Sequence, residues 1–169
     1  KRIFEKNKTE YTLRSLNSLI RSINHNKNIF DNINLDLIIV DHNSTQDVID
    51  KMKLLLSKQF FKHQIIPLNL DNFIKDINPI NEKKEKVTLN QMSNMSNIYQ
   101  SLLLSKKCDD LVYFVEDDYI HHKEAIKEMI FTYERVASQT KKELILCPAD
   151  YPYLYNKLES TNIFLGSDR

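Results

Sequence analysis

Short apolar runs alternate along the chain with stretches in which apolar residues recur at helical spacing, and this alternation restricts the possible folds more than any other feature. The runs occupy residues 35–40, 64–68, 111–115 and 143–147, and residues 2–4 have the character of a strand end. Continuous apolar runs are typical of strands that helices cover on both faces. Strands that alternate with helices predict an α/β fold with a mostly parallel sheet and right-handed crossovers.

Four amphipathic helices are predicted between and after these runs. Thr9 is a suitable N-cap for the first, the second covers residues 46–57, and the last covers residues 123–138. Their apolar faces consist of Leu13, Leu16, Ile20 and Ile23, then Val48, Met52, Leu55 and Leu56, then Met95, Ile98, Leu102 and Leu103, and finally Ala125, Met129, Ile130, Tyr133 and Val136. Residues 69–90 are polar, and we expect them to form a long loop that carries the charged stretch 82–86.

The charge balance narrows the classes of partner. Lys and Arg number 24 and Asp and Glu number 23, so the formal net charge of +1 gives no electrostatic reason to expect a nucleic acid or an anionic membrane. The apolar runs are too short to form a transmembrane segment. The isolated cysteines, Cys108 and Cys147, resemble reduced thiols. These features favour a cytoplasmic location, with the inner face of the membrane as a further possibility.

Glycine is almost absent from the chain, with Gly166 the single example. Phosphate-binding P-loops and dinucleotide-binding G-x-G-x-x-G turns need several glycines, so the sequence excludes both motifs. Backbone positions with a positive φ must then be taken by other residues. We expect Asn24, Asn26 and Asn28 to take them where the first helix ends.

Three adjacent acids, Glu116, Asp117 and Asp118, follow the apolar run 111–115. One acid is explained as a cap of the helix that comes next, since a carboxylate is stabilised near a helix N-terminus. Three are not, because like charges at close range raise each other's pKa unless a cation intervenes. Carboxylate oxygens suit Mg²⁺ or Mn²⁺, which proteins often hold with one or two carboxylates and substrate phosphates. The cluster therefore favours a divalent metal over capping alone.

A further acid, Asp41, directly follows the run 35–40 and begins the segment DHNST. It too is a candidate helix cap, but Asn43, Ser44 or Thr45 can cap the helix over 46–57 equally well. Asp41 is then free to accept hydrogen bonds from a nucleobase or a ribose. Ligands bind outside the carboxyl ends of strands in open α/β sheets, where both groups of acids are predicted to lie.

Two further groups of side chains leave alternatives open. His121 and His122 follow the acids, and a solvated helix start is favoured for them over a metal-binding role. Tyr151, Tyr153 and Tyr155 either stack on a substrate or pack an irregular segment after the last strand.

Three segments resemble family 2 glycosyltransferases of the GT-A fold. KNKTEYTLRSLNSLIRSI (6–23) is similar to the strand-to-helix opening of that family, and LDLIIVDHNST (35–45) to its IIVDDGSTD segment, with His42 and Asn43 in place of Asp-Gly. NMSNIYQSLLLSKKCDDLVYFVEDD (94–118) resembles the segment that ends in the metal-binding DXD motif. The resemblance implies a Rossmann-like GT-A domain over residues 1–169, with a nucleotide-sugar-binding half in 1–120 and the start of an acceptor-side region in 121–169.

The resemblance also implies an activity: a metal-dependent, hexosyltransferase-like enzyme that moves a sugar from a nucleotide-diphosphate donor to a carbohydrate or lipid-linked acceptor. It places four residues with the donor, namely Asp41 on the base, Asp117 near the ribose or sugar, and Asn43 and Asn97. It places Asp118, helped by Glu116, on a Mn²⁺ or Mg²⁺ ion. The cation would stabilise the charge that the departing nucleoside diphosphate gains.

An inverting transferase also needs a base that deprotonates the acceptor hydroxyl. In the family this base is an acid well downstream of DXD, and Asp168 is the first candidate, with Asp150 second. Catalytic domains of the family usually run longer at both ends. The resemblance therefore implies a fragment or an incomplete catalytic domain.

Two other functions remain open at this point. A Mg²⁺-dependent phosphoryl- or nucleotidyl-transfer protein also gathers acids at strand ends, and Ser44 and Thr45 could grip a phosphate. A non-catalytic, transferase-like module that binds a nucleotide-sugar is the third hypothesis. Convergence of Asp41 and Asp118 on one cleft would favour the transferase.

Overall fold

A computed structural model of the chain describes residues 8–148. Its elements, in chain order, are helix α1 (Lys8–His25), a 3₁₀ helix (Lys27–Phe30), strand β1 (Asp36–Asp41), helix α2 (Gln46–Leu56), strand β2 (Lys62–Pro67), and helices α3 (Leu70–Phe73), α4 (Leu89–Ser105) and α5 (Ala125–Thr140). The fold class is mixed α/β with a parallel sheet, as the sequence predicts. Within the described residues, contacts divide the chain into unit 1 (8–17 and 33–119) and unit 2 (18–32 and 120–148).

Unit 1 is built on a β–α–β arrangement. β1 and β2 pair in parallel, from Asp36 opposite Lys62 to Asp41 opposite Pro67, and α2 forms the connection between them. Pro67 occupies the last pair of the ladder, where a missing N–H costs least. The next residue, Leu68, donates its N–H to the Asp41 carbonyl at 2.7 Å and so extends the pairing past the proline.

Helix α2 contributes three side chains to the core of unit 1. Val48, Met52 and Leu56 recur every four residues and are buried, with Met52 and Leu56 each 1% exposed. The remaining buried apolar side chains of this unit are Leu16, Phe61, Leu68, Ile77 and Val87. Burial at helical spacing is the feature that made α2 predictable from sequence.

The polar segment 69–90 is in part the long loop that the sequence predicts, since residues 74–88 contain no assigned helix or strand. It contains α3 and a tight hairpin in which an antiparallel bridge pairs Ile80 with Lys86. The side-chain oxygen of Asn81 accepts the N–H groups of Lys83 and Glu85, both at 2.9 Å. Asn forms such side-chain-to-backbone turns readily, which explains how a charged stretch folds back without glycine.

Three other expectations need correction. No strand is assigned at 111–115 or 143–147, and the five side chains of the first run are 38–51% exposed. An apolar run becomes a strand only where a neighbour completes its hydrogen-bond ladder, and the sheet within residues 8–148 has two strands.

The non-glycine residues with a positive φ in this part of the chain are Asn43, Lys84 and Lys141, not Asn24, Asn26 and Asn28.

Unit 2 contains the second half of α1, from Ser18 onward, the 3₁₀ helix and α5. Its buried apolar side chains are Leu19, Ile20, Ile23, Phe30 and Ile126. Ser22, which is fully buried, accepts the Ile126 N–H and donates to the Lys123 carbonyl, both at 3.2 Å. Asn26 donates to the same Lys123 carbonyl at 3.0 Å. Ser22 of α1 and Asn26 just after it thus bind backbone groups where α5 begins, and the Ile126 N–H is one of those that a helix start leaves unpaired.

Candidate ligand site at the end of strand β1

Strand β1 carries Asp41 at its last position, where parallel strands of α/β sheets meet ligands. The Asp41 Oδ2 atom accepts the Ser44 N–H at 3.2 Å, which closes a turn over residues 41–44. The side chain is partly buried. Its other oxygen, Oδ1, has no hydrogen-bond or ion-pair partner among the residues that the structure describes. This oxygen is therefore available to accept a hydrogen bond from a ligand.

The turn depends on Asn43, which has a φ of 61°. This left-handed region is costly for residues with a Cβ atom, and Asn is one of the few that occupy it regularly. The Asn43 Nδ2 atom lies 3.2 Å from His42 Nε2. Asn43 therefore has a clear conformational role, and its side chain is exposed at the same turn as Asp41.

Helix α4 holds the ends of both strands. Asn97 donates from Nδ2 to the Val40 carbonyl at 3.0 Å, and Gln100 donates to the Pro67 carbonyl at 3.2 Å. One turn earlier, Ser93 Oγ lies 2.6 Å from His42 Nδ1. These three α4 residues follow the spacing i, i+4 and i+7 and so share one helix face. The N-terminus of α4 is stabilised by a capping box, in which Thr88 and Gln91 each accept a backbone N–H of the other.

These contacts change the interpretation of Asn97. The resemblance places it with the donor, whereas the structure uses its amide nitrogen on Val40 and its oxygen on Ser101, at 3.5 Å. Asn97 thus fixes the backbone next to Asp41, and its placement with the donor stays a prediction. Sequence reasoning missed Ser93 and Gln100, because Ser, Asn and Gln recur throughout this helix and no pattern distinguishes these two from the others.

The acids at 116–118 are exposed, and one of them is paired within the protein. Asp117 Oδ2 accepts the Thr12 hydroxyl at 2.9 Å and lies 3.4 Å from Lys8 Nζ, both on the first turns of α1. Glu116 and Asp118 have no hydrogen-bond or ion-pair partner in the described part of the chain. None of the three caps α5, because its N-cap is Glu124. The helix-capping alternative is therefore wrong.

Within residues 8–148, no three or more His, Cys, Asp or Glu side chains form a group that could hold a metal ion. Two unpaired carboxylates, Glu116 and Asp118, nonetheless fit an ion that takes its other ligands from water and substrate phosphates. No hydrogen bond or ion pair joins either of them to Asp41. Asp150 and Asp168 lie outside the described residues, as do the three tyrosines of DYPYLY.

Two depressions on unit 1 lie apart from these acids. One, of about 320 Å³, has Leu13, Arg14 and Leu54 in its lining. The other, of about 360 Å³, is lined by residues that include Leu56, His63 and Ile65. Neither is lined by Asp41 or by residues 116–118, so neither corresponds to the site predicted from sequence.

Two histidines of unit 2, His121 and His25, contact polar side chains of the same unit. Ser18 Oγ accepts the His121 N–H at 2.9 Å and lies 3.3 Å from His121 Nδ1. Burial lowers the pKa of His121 below its ordinary value of 6.5. His25 Nε2 lies 2.8 Å from Glu124 Oε1. Burial alone would raise the pKa of Glu124, but the hydrogen bond and charge of His25, with Lys127 and Lys123, lower it.

Comparison with known protein families, with curated proteins and with solved structures finds no match to this chain. No helix within residues 8–148 combines the length and apolar character needed to cross a membrane.

Proposed function

We propose that this chain is the nucleotide-binding part of a metal-dependent glycosyltransferase of GT-A type. Such an enzyme transfers a sugar from a nucleotide-diphosphate donor to a carbohydrate or lipid-linked acceptor. The observation that supports the proposal best is Asp41, which ends the first strand of a parallel β–α–β unit with one carboxylate oxygen unpaired in the described residues.

The chemistry of Asp41 suits a nucleoside. A carboxylate accepts hydrogen bonds only, so it selects ligands that present N–H or O–H groups, as uracil, guanine and ribose do. A charged acceptor forms stronger hydrogen bonds than a neutral one. Partial burial of Asp41 reduces competition from water, which strengthens such a bond further.

Glu116 and Asp118 are the residues that would hold Mn²⁺ or Mg²⁺. When bound, the cation would supply Lewis-acid stabilisation of the diphosphate leaving group. The chain's own contribution is a pair of hard oxygen ligands. Asp117 is less suited to this role, because Lys8 and Thr12 already occupy one of its oxygens.

A second candidate function is a non-catalytic module that binds a nucleotide-sugar. It is supported by the same observation, the Asp41 carboxylate oxygen that is unpaired within residues 8–148. Such a module would bind the nucleotide through Asp41 without needing the metal, and it would not consume the sugar donor.

Thermal unfolding with UDP or GDP, each with and without Mn²⁺, tests the proposal. A ligand at a hundredfold excess over its Kd stabilises the native state by about 2.7 kcal/mol. For a chain of this size we expect the melting temperature to rise by roughly 5–10 °C. Asp41→Asn should abolish the nucleotide shift, and Asp118→Asn should abolish only the additional effect of Mn²⁺.

Asp36→Asn is the matched control, since Asp36 is an exposed acid at the opposite end of the same strand. It should leave every shift unchanged. The absence of a shift with either nucleotide, or an equal loss in Asp36→Asn and Asp41→Asn, would contradict the proposal. Release of free sugar from UDP- or GDP-sugars, measured in parallel, separates the transferase from the non-catalytic module.

A further inference from the structure

We propose that Ser93 is a positioning residue of the site: its hydroxyl fixes the imidazole of His42 and thereby holds the left-handed turn at Asn43 that orients Asp41. The consequence for ligand affinity rests on the proposed nucleotide site. The consequence for the conformation of the turn does not, and it can be measured without any ligand.

The contact joins parts of the chain that are far apart in sequence. Ser93 lies on the second turn of α4, 51 residues after His42, and its Oγ atom is 2.6 Å from His42 Nδ1. Within residues 8–148, no other side chain from a different element hydrogen-bonds residues 42–44. Ser93 therefore provides the tertiary hydrogen bond of this turn.

The imidazole of His42 has a hydrogen-bond neighbour at both nitrogens. Its Nε2 atom faces the Asn43 amide nitrogen at 3.2 Å, and its Nδ1 atom faces Ser93 Oγ. A neutral imidazole has one donor and one acceptor, and an amide nitrogen can only donate. Nε2 is then the acceptor, and the proton is on Nδ1, which donates to Ser93.

This tautomer assigns the role of Ser93. A serine nucleophile needs an imidazole that accepts its proton, whereas here the imidazole donates to the hydroxyl oxygen. The contact thus orients the ring rather than activating the serine. Asn43 at φ 61° occupies the sparsely populated left-handed region, and such conformations persist where their surroundings hold them.

Two α4 side chains, one helical turn apart, flank Asp41. Asn97 binds the Val40 carbonyl before it, and Ser93 binds His42 after it. Fixing both neighbours of Asp41 limits the directions in which its free oxygen can point. A preorganised acceptor binds more tightly because less freedom is lost on binding.

Three variants test this arrangement. Ser93→Ala removes the hydroxyl, and Ser93→Thr retains it. Ser96→Ala is the matched control, because Ser96 lies on the same helix, is fully buried, and has a hydroxyl without a hydrogen-bond partner among residues 8–148. NMR of the full chain would report the ¹⁵N shifts of the His42 ring, which identify the tautomer, and the Asn43 Cα and Cβ shifts, which report a positive φ.

In the wild type we expect a protonated Nδ1, an unprotonated Nε2 and left-handed shifts at Asn43. Ser93→Ala should lose all three features, while Ser93→Thr and Ser96→Ala should keep them. For UDP or GDP, Ser93→Ala should weaken the Kd roughly five- to tenfold, as expected for loss of about one hydrogen bond. Ser93→Thr should restore the affinity to within about twofold.

Unchanged His42 and Asn43 signals in Ser93→Ala would overturn the proposal, as would equal changes in Ser96→Ala. If the wild type binds neither nucleotide, the proposed function fails, and the ring and backbone shifts still decide whether Ser93 positions the turn.

Discussion

Two apolar runs that end in acids, residues 35–41 and 111–118, have similar sequences but different structures. The first forms β1, which pairs with β2 along its whole length. The second is not assigned as a strand, and its apolar side chains are 38–51% exposed. The difference shows that apolar character followed by acids does not by itself produce a strand end with a site.

What separates the two runs is the availability of a neighbour. β2 follows β1 after a single helix, so the partner of β1 is close in sequence, and the connecting helix α2 has three buried side chains. The acids differ in the same way. Asp41 is held by its own turn, and α4 binds the Val40 carbonyl beside it, whereas Asp117 is paired with the exposed Lys8 and with the Thr12 hydroxyl.

The largest expected effect is on stability and contrasts buried with exposed apolar side chains. Met52→Ala should lower the free energy of unfolding by about 2–5 kcal/mol, because it leaves a cavity beneath α2. Phe114→Ala, which truncates a side chain that is 51% exposed, should cost less than about 1 kcal/mol. Urea unfolding measures both. An equal cost would show that the second run is packed after all.

The next effect concerns the contact between α4 and β1. Asn97→Ala leaves the Val40 carbonyl without its side-chain donor and should cost about 1–2 kcal/mol. The same substitution should accelerate amide hydrogen exchange at the end of β1. Asn94→Ala, at an exposed position on the same helix, is the control and should change neither quantity. Slow exchange retained in Asn97→Ala would mean that the strand end does not depend on α4.

A smaller effect is expected on the pH dependence of stability, through His121, which follows the second run in the chain. The folded chain disfavours protonation of His121, so the unfolded chain binds more protons below pH 6.5. The contribution of His121 to stability is complete above pH 6.5 and is lost as the pH falls towards its folded pKa. Wild-type stability should therefore decline between pH 7 and pH 5, and less so in His121→Gln. A parallel decline in both proteins would contradict this.

Glu124 acts in a lower range of pH. Its folded pKa lies below its ordinary value of 4.5, so its contribution is present above pH 4.5 and is lost at more acidic pH. Between pH 7 and pH 5 the contribution of Glu124 is therefore nearly constant, and the comparison with His121→Gln reports on His121.

The smallest effect is expected at the ion pair of the second run. Lys8→Gln removes the cation beside Asp117, and both side chains are about half exposed or more, so the cost should stay below about 1 kcal/mol. The loss should shrink further at 1 M salt, where surface charges are screened. Unfolding at low and high salt measures it. A cost above this range would indicate that the acids and α1 form a stronger structural contact.

The sequence predicted the elements whose residues carry periodic burial. The four-residue spacing of Val48, Met52 and Leu56 placed α2, and the run ending at Asp41 placed β1, each within two residues. The resemblance-based placement of residues on a donor and a metal stays a prediction. Strand 111–115 was wrong because its pattern could not reveal whether a partner strand exists. The links from α4 were missed because hydrogen bonds between distant polar residues leave little trace in a single sequence.

The parallel pairing of β1 with β2 has a consequence for the order of folding. Asp36 and Lys62 lie 26 residues apart in the chain, and all the remaining pairs of the ladder have the same separation. Loop closure over so short a distance costs little entropy compared with contacts between remote segments, and local contacts speed folding. We therefore expect substitutions in β1, α2 and β2 to slow folding, with φ-values above those of α5. The end of β1 that carries Asp41 would then be structured early in folding, before α5.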